Sequence, residues 1–205
     1  MSSQEQFHWP QRLAHLINLI AIVLLIFTGF YIYYPFAAGL MGAARYFHYI
    51  AAFVLILNMV WRVYYAFFGK YRDYYEYKPE LGKILRVVKY YCFMGEAPAA
   101  RGRYNALQKL AYLSIPFLVM YQACTGMALA MPDRLAGFIE ALGGMANVRA
   151  LHYFGTWLFI CFVLIHLYMV FSEKPYQVMV MFLGKEPGQQ KPLMKQAGSH
   201  VQQKQ

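Results

Sequence analysis

The stretch RALHYFGTWLFICFVLIHLYMVF, residues 149–171, is long enough to cross a bilayer and carries two histidines fourteen residues apart. A helix needs about 20 apolar residues to span the hydrocarbon core, where an imidazole loses the water that would satisfy its nitrogens. A lone histidine in such a span is more often a packing or hydrogen-bonding residue, but two on one helix call for a shared explanation. Because an α-helix turns about 100° and rises about 1.5 Å per residue, His152 and His166 share a face and lie about 21 Å apart along the axis.

The surrounding composition fits the same medium. Of the 205 residues, 60% are hydrophobic and 14% charged, whereas charged residues make up about a quarter of a soluble domain. Four stretches have the length and apolarity of spans: about Leu13 to Tyr34, His48 to Phe68, Leu107 to Met131 and Leu151 to Phe171. The first is too long for a secretory signal and belongs to the mature chain. No repeat of 20 to 50 residues is evident. The expected fold is an all-α membrane protein, a four-transmembrane-helix bundle occupying residues 1–185. Residues 186–205, rich in Gln, Lys and Gly, read as a disordered tail.

Basic residues set the expected topology. Lys70, Arg72, Lys78, Lys83, Arg86, Lys89, Arg101 and Arg103 lie between the second and third spans, while the other two loops hold mainly Arg45, Arg134 and Arg149. The positive-inside rule puts the middle loop and both termini in the cytoplasm. Within that loop, ELGKILRVVKYYCF spaces Leu81, Ile84, Leu85 and Val88 as one apolar helical face, the pattern of an interfacial helix lying along the membrane. The net charge of +10 flanks apolar spans instead of forming a basic face on a soluble domain, which excludes nucleic acid as a partner. Cys92, Cys124 and Cys161 form no C-x-x-C-H attachment site, so any haem would be held without a covalent tether.

Antiparallel spans supply partners for the two histidines at matching depths. His15 opens the first span on the side where His166 approaches the end of the fourth; His48 opens the second span where His152 opens the fourth. Two facing imidazoles inside a bundle are what a six-coordinate b-type haem requires, so the pairs His48/His152 and His15/His166 point to two stacked haems. No cysteine or carboxylate stands beside either pair to suggest zinc or copper instead. Arginine precedes three of these histidines at one spacing, in RLAH (Arg12), RYFH (Arg45) and RALH (Arg149), suited to haem propionates; Arg62 stands fourteen residues after His48. Gly29 shares the face of His15 at the depth of the other pair. Together with Gly126 and Gly155 it would give room for a porphyrin, though small residues also serve close helix packing.

The set RLAH, RYFHYIAAFVLILNMVWR, GRYNALQKL and RALHYFGTWLFICFVLIHLYMVF resembles the di-haem cytochrome b (gamma) subunits of membrane-bound formate dehydrogenases and NiFe hydrogenases, with relatives in thiosulfate reductases. The likeness covers about residues 8–185. It implies that the histidines matching His48 and His152 hold the periplasmic-side haem, and those matching His15 and His166 the cytoplasmic-side one. It also implies a quinone site, menaquinone by expectation, at Asn105, Gln108 and Lys109, with Tyr104 and His166 nearby; Asn105 also suits a helix N-cap. In that family the subunit sits in the prokaryotic inner membrane. It carries electrons from a periplasmic iron-sulfur subunit, and the catalytic dehydrogenase subunit behind it, to a quinone reduced on the cytoplasmic side. A stand-alone quinol-oxidising di-haem cytochrome b enzyme would show the same four histidines, and a haem-free transporter or scaffold would use them for protons or packing.

Overall fold

The structure, a computed structural model, describes residues 7–70, 72, 74–95, 105–173 and 175–184. Arg101, Arg103, Tyr104 and the expected tail lie outside the described residues. Among those described, every regular element is helical: α1 (Trp9–Tyr33), α2 (Met41–Phe68), a 3-10 turn (Tyr74–Tyr77), α3 (Leu81–Tyr91), α4 (Ala106–Ala130), α5 (Ala136–Ala141), α6 (Met145–Glu173) and α7 (Tyr176–Leu183). Four of these, α1, α2, α4 and α6, are long and apolar enough to cross a membrane. The outward-facing Val23, Phe27, Phe53, Val60, Phe117 and Leu164 are exposed, as a lipid-facing surface requires.

Helix α1 packs along α2, and α4 along α6, while contacts between these two pairs are lighter. The bundle is therefore two hairpins meeting at a seam. At mid-depth the seam is closed by Ala21, Leu55, Met59, Val119 and Phe159, a buried cluster to which all four long helices contribute. Asn58, buried in α2, donates to the Ala14 carbonyl at 2.8 Å and to Asn18 Oδ1 at 2.6 Å, tying α2 to α1. A polar bond between membrane helices contributes only about 1 kcal/mol, so packing of the hairpins dominates.

The helices reach further than expected from hydropathy alone. Helix α2 begins at Met41 and α6 at Met145, so His48 and His152 do not open their spans but lie two turns inside them. The two helix starts are MGAARYFH (41–48) and MANVRALH (145–152), with methionine, arginine and histidine in the same register. Helices α1 and α4 match likewise. Both are 25 residues long, QRLAHL (11–16) aligns with QKLAYL (108–113), and Thr28-Gly29 aligns with Thr125-Gly126. In each, a glutamine Oε1 accepts from the N-cap backbone N–H at 3.0 Å, Gln11 from His8 and Gln108 from Asn105. The chain is thus an internal duplication with a period of about 100 residues, too long to register as a short solenoid repeat.

The peripheral helices cross between the halves. Helix α3 follows α2 but packs on α4, and α7 follows α6 but packs on α1. The repeat-equivalent cations Arg12 and Lys109 make these joints. Arg12 donates through Nε to the Met181 carbonyl at 2.9 Å and through Nη2 to that of Phe182 at 3.0 Å, where the last carbonyls of α7 lack helical partners. Gly184, at φ +72°, ends α7, and a side chain there would strike the Arg12 guanidinium. Helix α3 buries Val87 and leaves Leu81, Leu85 and Val88 exposed alongside Arg86 and Lys89. This amphipathic arrangement suits a helix lying in the membrane interface, and Val87 is its true anchor.

Lys109, buried in the first turn of α4, donates to Glu80 Oε1 at 2.5 Å, and Lys83 donates to Oε2. The hydrogen bond from Lys109 first, then that from Lys83, holds the Glu80 carboxyl at about 2 instead of the ordinary 4.5. A depressed carboxyl pKa contributes stability that is complete above the unfolded value and lost as pH falls through the folded one. Glu80→Gln should therefore lower the thermal midpoint of the purified protein by a constant margin at any pH above about 4.5, and that margin should close as pH falls through about 2.

Candidate cofactor site

The structure brings both expected pairs together. The rings of His48 (α2) and His152 (α6) have centroids 6.3 Å apart, at the end of the bundle that carries the α1–α2 and α4–α6 connections; this is the loop-side pair. The rings of His15 (α1) and His166 (α6) lie 6.2 Å apart at the opposite, terminal-side end. Helix α6 contributes one imidazole to each pair, and the other comes from the opposite hairpin, so both pairs straddle the seam. Two imidazoles held on opposite sides of one metal, each nitrogen about 2.0 Å from it, have ring centres about 6 Å apart. Among the described residues no group of three or more His, Cys, Asp or Glu could hold a bare metal ion. Each pair instead offers two ligands, the number a haem iron takes from protein when the porphyrin supplies the rest.

The loop-side histidines are held by side chains that the sequence pattern had not singled out. Thr28 Oγ1 lies 2.8 Å from His48 Nδ1, and Thr125 Oγ1 lies 2.9 Å from His152 Nδ1. Each threonine hydroxyl also donates to the carbonyl four residues earlier, Leu24 at 2.6 Å and Tyr121 at 2.9 Å. A hydroxyl has one proton, and with it given to the carbonyl the oxygen accepts from Nδ1–H. The remaining nitrogen, Nε2, then carries the lone pair a metal needs. The glycine after each threonine lies against the imidazole, most closely at Gly126. A Cβ on Gly29 would stand 3.5 Å from His48 Cε1, and one on Gly126 only 3.2 Å from His152 Cε1. At Gly126 the space that glycine leaves is taken by the imidazole edge, whereas Gly29 has room for a methyl. The signal for this device is the dipeptide Thr-Gly occurring near the end of both α1 and α4.

The terminal-side pair is built differently. His15 Nδ1 is buried with no hydrogen-bond partner among the described residues. The repeat positions that would complete a symmetric level hold Tyr112, equivalent to His15, and Arg62, equivalent to His166. Asn58 and Asn18, also unforeseen, lie one turn from this level on the side of the mid-depth core.

Other expected site residues fall as follows. Arg12 donates to the carbonyls of α7 through Nε and Nη2. Arg45 and Arg149 are exposed, one turn before His48 and His152, and Arg62 is half-buried. Asn105 is the N-cap of α4: its Oδ1 accepts from the Gln108 backbone at 2.8 Å and its Nδ2 donates to the Tyr91 hydroxyl at 2.9 Å. Lys109 is bound to Glu80. Gly155 serves close packing of α4 on α6, since a Cβ there would meet Gln122 Oε1 at 2.5 Å and Tyr121 Cε1 at 2.6 Å.

Comparison with known proteins agrees with this geometry: residues 6–184 match the family described as prokaryotic cytochrome b561. The chain belongs to that family. A cytochrome b561 binds b-type haem, and four span-capable helices make this one a multi-pass membrane protein. Its relatives include proteins named "Probable Ni/Fe-hydrogenase B-type cytochrome subunit". That of Cupriavidus necator is 28% identical over 194 residues, covering 80% of this chain and 77% of the relative. That of Azotobacter vinelandii is 30% identical over 189 residues, covering 80% and 78%. The Escherichia coli K12 "Probable Ni/Fe-hydrogenase 1 B-type cytochrome subunit" is 25% identical over 192 residues, covering 82% of each.

The two glycines of this cytochrome b561 should differ in tolerance. Gly29→Ala puts its methyl at ordinary contact with His48, whereas Gly126→Ala forces His152 to give way by a few tenths of an ångström. Overpacking of that kind costs about 1–3 kcal/mol. Thermal unfolding in detergent should show a lower midpoint for Gly126→Ala and little change for Gly29→Ala.

Proposed function

We propose that this chain is the membrane cytochrome b subunit of a Ni/Fe hydrogenase, in which His48 and His152 would hold one haem and His15 and His166 a second. The observation that carries this reading is the pair of facing imidazoles at 6.3 and 6.2 Å on one seam of the bundle. Relatives bearing a hydrogenase subunit name favour that partner over a formate dehydrogenase. Haem bound at both levels supplies one-electron transfer across the bilayer. Two histidines at each level would hold the group from both sides, and one-electron transfer is the chemistry it would supply there, which suits a conductor more than an independent catalyst. The mid-depth core of Ala21, Leu55, Met59, Val119 and Phe159 keeps water out of the space between the levels.

The basic residues around α3 favour a cytoplasmic terminal side, in a prokaryotic inner membrane, and leave the loop side to a periplasmic iron-sulfur subunit and its catalytic partner. Exposed Arg45 and Arg149 stand at that outer end, placed for propionates, and half-buried Arg62 at the inner. A quinone, menaquinone in this reading, is reduced near the start of α4. Asn105, Gln108 and Lys109 are there, but the Asn105 amide already serves Tyr91 and the Lys109 ammonium serves Glu80. Binding a quinone carbonyl through either therefore means exchanging one of those bonds. Residues 1–185 form the haem-binding unit, and 186–205 are a tail beyond it.

A pyridine haemochrome assay on the purified chain should find two b haems per protein. His152→Ala and His15→Ala should each retain one, with a different spectral component lost in each case. A variant that keeps both haems refutes the ligand assignment.

A further inference from the structure

The two histidine levels differ in what lies behind the imidazoles. On the loop side both Nδ1 atoms have an oxygen acceptor, and it is the same device twice: a buried threonine whose own proton is given to its helix, at 2.8 Å from His48 and 2.9 Å from His152. The same contact is present in both hairpins. On the terminal side His15 Nδ1 has no partner among the described residues, and the duplication is broken there by Tyr112 and Arg62.

An acceptor on the far N–H of a ligating imidazole makes the ring more basic and a stronger electron donor to its metal. A threonine oxygen already polarised by donating to a carbonyl is the better acceptor. Stronger donation favours the ferric state, and hydrogen bonding behind axial ligands is one of the means by which a protein sets a haem's potential. Resting on the two-haem reading above, we propose that Thr28 and Thr125 are positioning residues that fix His48 and His152 as Nδ1–H donors. The His48/His152 haem is thereby set lower in potential than the His15/His166 haem. Thr28 and Thr125 act through the histidines and need not touch the reacting atoms.

The test is redox potentiometry and low-temperature EPR on the full-length haem-loaded chain, comparing wild type with Thr28→Val, Thr125→Val, the double variant and the two serine variants. Valine keeps the shape and removes the acceptor; serine restores only the hydroxyl. With two haems retained, each valine variant should shift the lower midpoint upward and move one ferric low-spin signal, the double variant more so. The higher midpoint should stay fixed, and serine should return both readouts to wild type. The proposal is overturned if valine moves neither midpoint nor signal, if the higher-potential haem is the one that moves, or if serine behaves as valine does. Should the valine variants lose a haem, the serine variants decide: full occupancy and wild-type midpoints assign the effect to the hydroxyl, and loss in serine as well assigns it to packing and defeats the proposal. A wild-type chain with fewer than two haems defeats the underlying reading before any threonine is changed.

Discussion

A neutral imidazole carries one donor and one acceptor nitrogen, and in hydrocarbon neither can turn to water. This constraint organises the bundle. The loop-side histidines satisfy the donor with threonine oxygens from the neighbouring helix of the same hairpin, Thr28 of α1 for His48 of α2 and Thr125 of α4 for His152 of α6. The other nitrogen is left to face across the seam. Each hairpin therefore orients its own histidine, and the seam brings the two histidines together. Gly126 beside Thr125 is a steric condition for that approach, since a Cβ there would press on the His152 edge, whereas Gly29 leaves room for a methyl.

The duplication explains why the halves are built alike and where they part. Matching N-terminal capping boxes, matching Thr-Gly positions and matching arginine-histidine spacings describe one hairpin used twice. Each half then sends its peripheral helix to the other, with α3 on α4 and α7 on α1. The cations at equivalent positions have found opposite partners. Arg12 binds carbonyl oxygens at the end of α7, where its forked guanidinium can serve two at once, while the single ammonium of Lys109 binds the Glu80 carboxylate at the start of α3. Reciprocal crossing of this kind locks two lightly contacting hairpins at the terminal end.

Much of this was legible in the residues. Hydropathy locates four spans, and antiparallel depth pairs His15 with His166 and His48 with His152, because helical rise is regular enough to project positions across a membrane. Helix ends were misplaced where small and polar residues lower the hydropathy: MGAAR and MANVR are helical yet do not read as span. Threonine and asparagine were passed over because one such residue in a span carries no pattern by itself. The significance of Thr28, Thr125 and Asn58 appears only with the partner across the helix interface. The α7 contacts of Arg12 were missed for a related reason. Its spacing from His15 matches that of Arg45 from His48, but α7 folds back over it, and that return depends on a tertiary contact invisible to local spacing.

The mid-depth core also fixes how the two levels relate. Phe159 is seven residues from His152 and seven from His166, about 10 Å of helix in each direction. With Ala21, Leu55, Met59 and Val119 it forms a buried layer to which every long helix contributes. Above and below that layer the hairpins meet through the histidine pairs, whose rings lie 6.3 and 6.2 Å apart. One apolar layer therefore separates the two histidine levels. The spacing between the levels is thus set by side chains that bind nothing, through the register of α6 against the other three helices.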